Sequence, residues 1–215
     1  YHAGEAGEAM LMLLAMRDEH AGLPMAPLRP MFEAAQWIDT MAQFAPLEQL
    51  AAPLGRLPED APEAAVLRAV VRTRALCAGD YATARRHLDP PQGEQPGEYE
   101  FDELPRGIQM TEAIWNQEVE PMLAATRAIT EAPDHLRAAR HLRLARMWQA
   151  QRGRLTLPLH HLFDYSRSET EKLEQLRRKN AALLGLDAAG ITAELDSRDE
   201  LHHALGHFLA AAETT

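Results

Sequence analysis

Apolar residues recur along this chain at helical rather than strand spacing. Ala, Leu, Glu, Arg and Met are abundant, and β-branched residues never alternate over six or more positions. Both features favour helices over strands. We therefore expect an all-α fold, a helical bundle of about eight to ten helices. Helices are predicted over residues 5–20, 31–44, 46–52, 62–78, 80–88, 111–131, 133–152, 168–185 and 187–195, and from 197 to the C-terminal region, with a kink at Pro121.

Two connections define the expected organisation. Residues 76–84, LCAGDYATA, resemble the turn of a tetratricopeptide helix pair, which predicts an antiparallel helical hairpin. Residues 89–106, DPPQGEQPGEYEFDELPR, are rich in Pro, Gly and acidic side chains, a composition typical of a loop. The chain of residues 1–215 is expected to form a single domain, in which this acidic loop can link two lobes, 1–88 and 107–215.

Composition restricts the classes of function. Apolar residues make up 46% of the chain and charged residues 25%, which is typical of a soluble globular protein. Cys77 is the only cysteine, so no internal disulfide can form and a cytoplasmic location is expected. The formal net charge of -10 disfavours binding to nucleic acids and anionic membranes. The longest apolar run, residues 9–16, is too short to span a bilayer.

The segment 197–208, SRDELHHALGHF, is the richest in chemically active side chains. Ser197 and Glu200 have the spacing of a capping box at a helix start. On that helix the apolar stripe lies within an arc of about 100°, which should face the core. The stripe comprises Leu201, Leu205, Phe208, Leu209 and Ala212. Glu200, His203 and His207 lie about 150° from its centre and should face solvent. Their spacing also makes them candidate metal ligands, although one helix facing water cannot complete a coordination sphere.

Arg198 and His203 give a second interpretation of this segment. With Asp199 they resemble the Arg-x4-6-His motif of HEPN-domain nucleases, which are all-helical proteins that often dimerise and cleave RNA. The resemblance implies catalysis by Arg198 and His203. On a regular helix these two side chains diverge by about 140°, so such a site would require two copies of the chain.

An arginine ribbon repeats every three residues on the predicted helix 133–152. Six arginines and a single acid give residues 134–154 a net charge of +5. Arginine suits bidentate contacts with an anion or an acidic partner. The ribbon can equally pair within the chain, with the acidic loop or with Glu112, Glu118 and Glu120. The candidate anion-binding or partner-binding residues are Arg137, Arg140, Arg143 and Arg146.

The segment Glu131–Leu136, EAPDHL, precedes this ribbon. It is similar to the E-P-x-D-H-L signature of TorD-type chaperones, which are acidic, all-helical proteins that bind the leader peptide of a partner molybdoenzyme. The acidic and aromatic positions that this family has on the following helix are occupied here by Ala138, Ala139, Arg140 and His141. The resemblance implies a chaperone-like helical protein.

Methionines are concentrated near the start of the chain. Six of the nine lie within the first 41 residues, and flexible thioethers suit a surface that adapts to a partner. The predicted hydrophobic interface is formed by Met10, Met12, Met16 and Met31. On the helix 62–78, Arg74 projects into an apolar stripe, where a buried guanidinium must be paired.

The leading interpretation is a non-enzymatic protein-interaction module, an adapter or chaperone-like protein that binds another protein or a second copy of itself. The sequence has no Gly-rich phosphate loop, no Gly-x-Ser-x-Gly and no His-Glu-x-x-His, which are frequent marks of enzymes. No cofactor is predicted, although a metal ion remains compatible with the histidines. The alternative is a helical enzyme, either a metal-dependent one using histidines and carboxylates or a HEPN-like ribonuclease.

Overall fold

Helices form the regular structure of this protein. The computed structural model describes residues 5–21, 37–38, 40–58, 61–90, 110–151, 179, 182, 185–196 and 200–214. These residues contain nine α-helices and no strand, which confirms the predicted all-α fold. None of the helices in these ranges is both long enough and apolar enough to cross a bilayer.

The helices follow one another in the expected order. Their bounds are α1 Ala6–Ala21, α2 Leu47–Ala51, α3 Pro62–Cys77, α4 Tyr81–Arg86, α5 Glu112–Ile114, α6 Glu120–Thr130, α7 Asp134–Ala150, α8 Ala188–Asp196 and α9 Glu200–Glu213. A 3-10 turn, Ala52–Gly55, follows α2, and a π-turn, Trp115–Val119, joins α5 to α6. Residues 37–38 and 40–44 are also helical. The predicted capping residue Ser197 and most of the predicted helix 168–185 lie outside the described residues.

The first hydrophobic core, which we call the N-terminal core, is made by α1, residues 38–45, α2 and the first half of α3. Helix α1 contributes Ala6, Met10 and Leu14, four residues apart and so on one face. Its contact with α2 is close, because a Cβ atom on Gly7 would overlap the backbone carbonyl of Gln49. Glycine is therefore required at this crossing.

The α3–α4 connection is the predicted helical hairpin. Gly79 has a φ of 75°, and the Asp80 N–H donates to the Ala75 carbonyl at 2.8 Å. The Gly79 N–H donates to the Leu76 carbonyl, which completes a Schellman motif. Asp80 then caps α4 by accepting from the Thr83 N–H at 3.0 Å. At the start of α3 the cap residue is Ala61, which makes no side-chain cap.

The second hydrophobic core, which we call the C-terminal core, begins where the first ends on α3. Ala75 and Leu76 of α3 belong to it, together with Trp115 and Met122 from the segment after the loop and Trp148 from α7. Helix α3 thus contributes to both cores. Helix α3 belongs to the predicted lobe 1–88, but it also packs against residues of the predicted lobe 107–215. The division into two lobes stays a prediction.

Two arginines of α3 are buried and paired. Arg74 is 8% exposed and donates to the Ala45 carbonyl at the end of helical residues 40–44, as a buried guanidinium requires. Arg72 is 2% exposed and lies 2.8 Å from the Asp89 carboxylate. Burial lowers the pKa of Arg72, and the charge of Asp89 opposes that effect.

Hydrogen bonds join the described residues on either side of residues 91–109. The Asp89 N–H donates to the Met110 carbonyl at 2.9 Å, and the Asp89 carboxylate accepts from the Met110 N–H at 2.6 Å. Arg72 therefore fixes both ends of the connection through Asp89. Residues 91–109 lie outside the described residues.

Pro121 does not act as a simple kink. Proline has no backbone N–H, so Pro121 cannot donate the usual helical hydrogen bond to the carbonyl four residues earlier. The chain accommodates this through the π-turn, in which the Glu120 N–H donates to the Trp115 carbonyl five residues earlier. The indole N–H of Trp115 donates to the Glu120 carboxylate at 3.1 Å, which holds the turn closed.

Candidate functional site

Three histidines and a tryptophan meet where α7 packs on α9. The His203 ring stacks on Trp148, with ring centres 4.5 Å apart and planes inclined by 19°. One turn later on α9, the Nδ1 atom of His207 lies 3.2 Å from the Nδ1 atom of His141. The two contacts follow opposite orders along the two helices, so α7 and α9 are antiparallel.

Small side chains allow this close packing. On α9, Ala204 and Ala211 are buried, and their spacing places them on the same face as His207. On α7, Leu144 and Ala145 are buried beside Trp148. The alanines bring the helix axes close enough for rings from the two sides to touch.

The predicted orientation of α9 is wrong for most of the stripe, although Phe208 packs against the C-terminal core as predicted. Leu205 and Leu209, assigned to the buried stripe, are 54% and 56% exposed. Conversely, His203 and His207 are half-buried and Glu200 is only 5% exposed. The prediction failed because α9 has apolar residues on both sides, and a face of alanines and flat rings packs on Trp148 better than a face of leucines.

His141 and His207 are joined through their Nδ1 atoms, which lie within hydrogen-bonding distance. The ring centres are 5.4 Å apart, and the two Nδ1 atoms face each other at 3.2 Å. One Nδ1–H must donate and the other Nδ1 accept, which two neutral imidazoles can do in complementary tautomers. Burial lowers the pKa of His207, and the neighbouring His141 and His203 lower it further.

A metal ion would need ligands that converge on one point. Within the part of the chain that the structure describes, no three His, Cys, Asp or Glu side chains are placed to hold one. Of the predicted ligands, His203 faces the Trp148 ring and His207 faces His141. The candidate set Glu200, His203 and His207 is therefore not assembled around a common point.

The ribonuclease pair is described only in part. His203 is half-buried and stacked, which leaves its ring occupied by a contact within the chain. Arg198 lies outside the described residues. The geometry between Arg198 and His203 stays a prediction.

The arginine ribbon divides into two pairs. Arg137 bonds the Asp134 carboxylate at 3.0 Å and the Ala132 carbonyl at 3.2 Å. Arg140 donates to the Ala128 carbonyl. Both therefore fasten α7 to the end of α6, where Ala132 is buried and Pro133 precedes the first turn of α7. This connection contains the segment 131–136 that resembles the chaperone signature.

The other pair of the ribbon faces outward. Arg143 and Arg146 are exposed, and no ion pair or hydrogen bond within the described residues involves either. They border a groove of about 470 Å³ whose remaining described wall is mainly apolar. That wall is formed by Ala139, Leu142, Met147 and Ala150.

Two of the predicted acidic partners of the ribbon are bound elsewhere. Glu112 and Glu120 each lie 3.2 Å from Arg85 of α4. Glu118 accepts from the Gln151 side chain at 2.6 Å. The intramolecular pairing expected between the ribbon and Glu112 or Glu120 is therefore wrong, because α4 lies nearer to those carboxylates and provides its own arginine.

The predicted methionine interface is also divided. Met10 is fully buried in the N-terminal core, so it cannot contact a partner and that prediction is wrong. Met12 is 68% exposed, on the opposite side of α1. The Met16 side chain and Met31 lie outside the described residues.

Sequence reasoning missed His141 and Trp148 as partners of the C-terminal histidines. A signal was present, since His141, Leu144, Ala145 and Trp148 share one face of α7 at helical spacing. If His141 is counted as a solvent-exposed residue, this face appears partly polar and is not recognised as a buried face. We also compared the chain with known proteins, and no family model, curated protein or solved structure matches it.

Proposed function

We propose that this protein is a non-catalytic helical protein-interaction module, an adapter or chaperone-like protein. The observation that supports the proposal is the outer face of α9, where Leu205 and Leu209 are 54% and 56% exposed. The inner face of the same helix is packed on α7. A leucine pair left in water on a well-packed helix is typical of a surface that another protein covers.

The geometry of this face suits a partner helix. Leu205 and Leu209 are one turn apart and project together, and Gly206 and Ala212 are exposed beside them. A Cβ atom on Gly206 would meet no atom of the described residues within 4 Å, so they leave room beside the leucines. Leucines flanked by small residues accept an apolar helix side by side. The partner is another protein or a second copy of this chain.

The histidines support a binding role over a catalytic one. His203 is stacked on Trp148 and His207 is bonded to His141, so both rings stabilise helix packing. The resemblance of residues 131–136 to the chaperone signature is in keeping with the proposal. No observation favours the metal-dependent enzyme or the ribonuclease over it.

Site-specific crosslinking in the native host tests the proposal. A photoreactive phenylalanine analogue replaces Leu205 or Leu209 in the full chain, and the matched control carries it at Gln149, an exposed polar position on α7. We expect one discrete protein adduct from positions 205 and 209 and none from 149. An adduct of twice the chain mass would identify a second copy as the partner. Absence of adducts at both leucines, or equal adducts at Gln149, would contradict the proposal.

A further inference from the structure

The face of α9 that packs on α7 contains a contact that depends on protonation. The hydrogen bond between the Nδ1 atoms of His141 and His207, 3.2 Å long, needs one nitrogen without a proton. When both rings are charged, both nitrogens carry hydrogens and neither can accept. The bond is then replaced by two facing N–H groups and a repulsion between like charges.

The described residues around the pair place no carboxylate in an ion pair with either ring. On α7, Arg137 and Arg140 lie on the turn before His141, so the nearest fixed charges on that helix are positive. Arg137 is bound to Asp134 and Arg140 to a carbonyl.

The other charged groups of the interface lie further along the helices. On α9, His203 is one turn from His207 and Glu200 nearly two turns away, while Glu213 lies beyond it near the C-terminal end. At the far end of α7, Glu118 of the π-turn bonds Gln151. On α6, Arg127 and Glu131 are exposed. The His203 ring itself stacks on the Trp148 indole.

We propose that the His141–His207 pair is an acid-sensitive latch that holds α9 on α7 near neutral pH and releases it when both rings become charged. This rests on the proposed function, because the latch fixes the position of the helix that carries Leu205 and Leu209. Release at acid pH leaves these leucines on a helix that is no longer held in place. A partner must then order α9 again, which weakens its binding.

The direction of the pH effect follows from proton counting. The pKa of His207 is lowered from 6.5 in the packed state, first by burial and then by its histidine neighbours. The released state therefore binds more protons in the range below 6.5, and acid favours release. Above that range both states are neutral at His207 and the latch is closed.

Amide hydrogen exchange on the purified full chain tests the latch. Exchange is followed in α9 and in α3 at pH 7.5 and 5.5, corrected for the intrinsic pH dependence of the chemical step. We expect α9 of the wild type to exchange about tenfold faster at the lower pH, a change of about 1.4 kcal/mol in its opening equilibrium, with α3 changed much less. His207→Asn keeps a hydrogen-bonding group near Nδ1 without titrating, and should remove the difference.

His202→Asn is the matched control, because His202 is exposed on the same helix and should leave the pH effect intact. The latch is excluded by a pH-independent exchange of wild-type α9, by equal acceleration in α3, or by a loss of the effect in His202→Asn. The outcome is separate from that of crosslinking. Exchange reports on the isolated chain, so a working latch without adducts at Leu205 and Leu209 would reject only the proposed function.

Discussion

The N-terminal core and the α7–α9 interface both bury the contacts between packed helices, but they use different kinds of side chain. In the N-terminal core, Met10, Ile38 and Leu50 are completely buried, and its buried cation Arg74 bonds a backbone carbonyl. At the α7–α9 interface the contacts include the imidazole rings of His141, His203 and His207. The first region is held by groups that keep one charge state between about pH 5 and 8, whereas the second is not.

This difference separates a fixed part of the molecule from an adjustable one. Apolar burial is almost independent of pH, while a histidine contact changes strength in the physiological range. The exposed leucines belong to the helix held by the histidine contact, and α1 has no comparable ring contact among the described residues. The predictions below test whether the two regions respond differently to matched changes.

The largest expected effect is the loss of a buried side chain from the N-terminal core. Met10→Ala should lower the free energy of unfolding by about 2–5 kcal/mol, because it leaves a cavity among fully buried neighbours. Met12→Ala, two residues away and 68% exposed, should change it by less than about 0.5 kcal/mol. Urea denaturation of both variants measures the difference. Equal losses of unfolding free energy in the two variants would mean that α1 does not pack on the core through a single face.

The same glycine substitution should have opposite signs in the two regions. Gly7→Ala forces a Cβ atom onto the Gln49 carbonyl and should destabilise the protein by about 1–3 kcal/mol. Gly206→Ala on the open face of α9 should stabilise it by up to about 1 kcal/mol, because alanine favours helix. Thermal unfolding of the two variants gives the signs directly. A destabilising Gly206→Ala would show that its surface is already covered.

The sequence was sufficient for features set by local chemistry. The α3–α4 hairpin could be predicted because Gly79 and Asp80 provide the positive φ and the cap that the turn requires. The spacing of apolar residues along the chain likewise predicted that its regular structure is helical. Arg74 could be expected to be paired, since a lone charge inside an apolar stripe is strongly unfavourable.

The rotation of α9 could not be predicted from α9 alone. Its two faces have similar hydrophobicity when Ala204 and Ala211 are counted, so the choice between them depends on the partner helix. Trp148 decides it by providing a flat surface for His203, and His141 by providing an acceptor or donor for His207. Those residues are more than 50 positions away in the sequence, and nothing local records their contact.

A smaller effect is the dependence of stability on pH. His207 has a pKa lowered from 6.5 in the folded state, so its contribution is complete above 6.5 and is lost as the pH falls through the folded pKa. The pKa of His87 is also lowered, by burial and nearby arginines. His207→Asn should therefore reduce, but not abolish, the gain in unfolding free energy between pH 5.5 and 7.5. Urea titrations at both pH values measure this gain, and an unchanged gain would contradict the assignment.

The smallest expected effect concerns the outward pair of the arginine ribbon. Arg143→Ala and Arg146→Ala should each alter the unfolding free energy by less than about 0.5 kcal/mol, since neither guanidinium is paired among the described residues. Arg140→Ala should be more damaging, because it leaves the Ala128 carbonyl at the end of α6 without its donor, at about 1–3 kcal/mol for a buried group and less where water reaches it. If all three variants were equally neutral, the ribbon would be a solvated face throughout. A loss of stability confined to Arg140→Ala would mean that the two halves of the ribbon differ in role. The inner arginines bind the end of α6, and the outer arginines place positive charge beside an apolar groove.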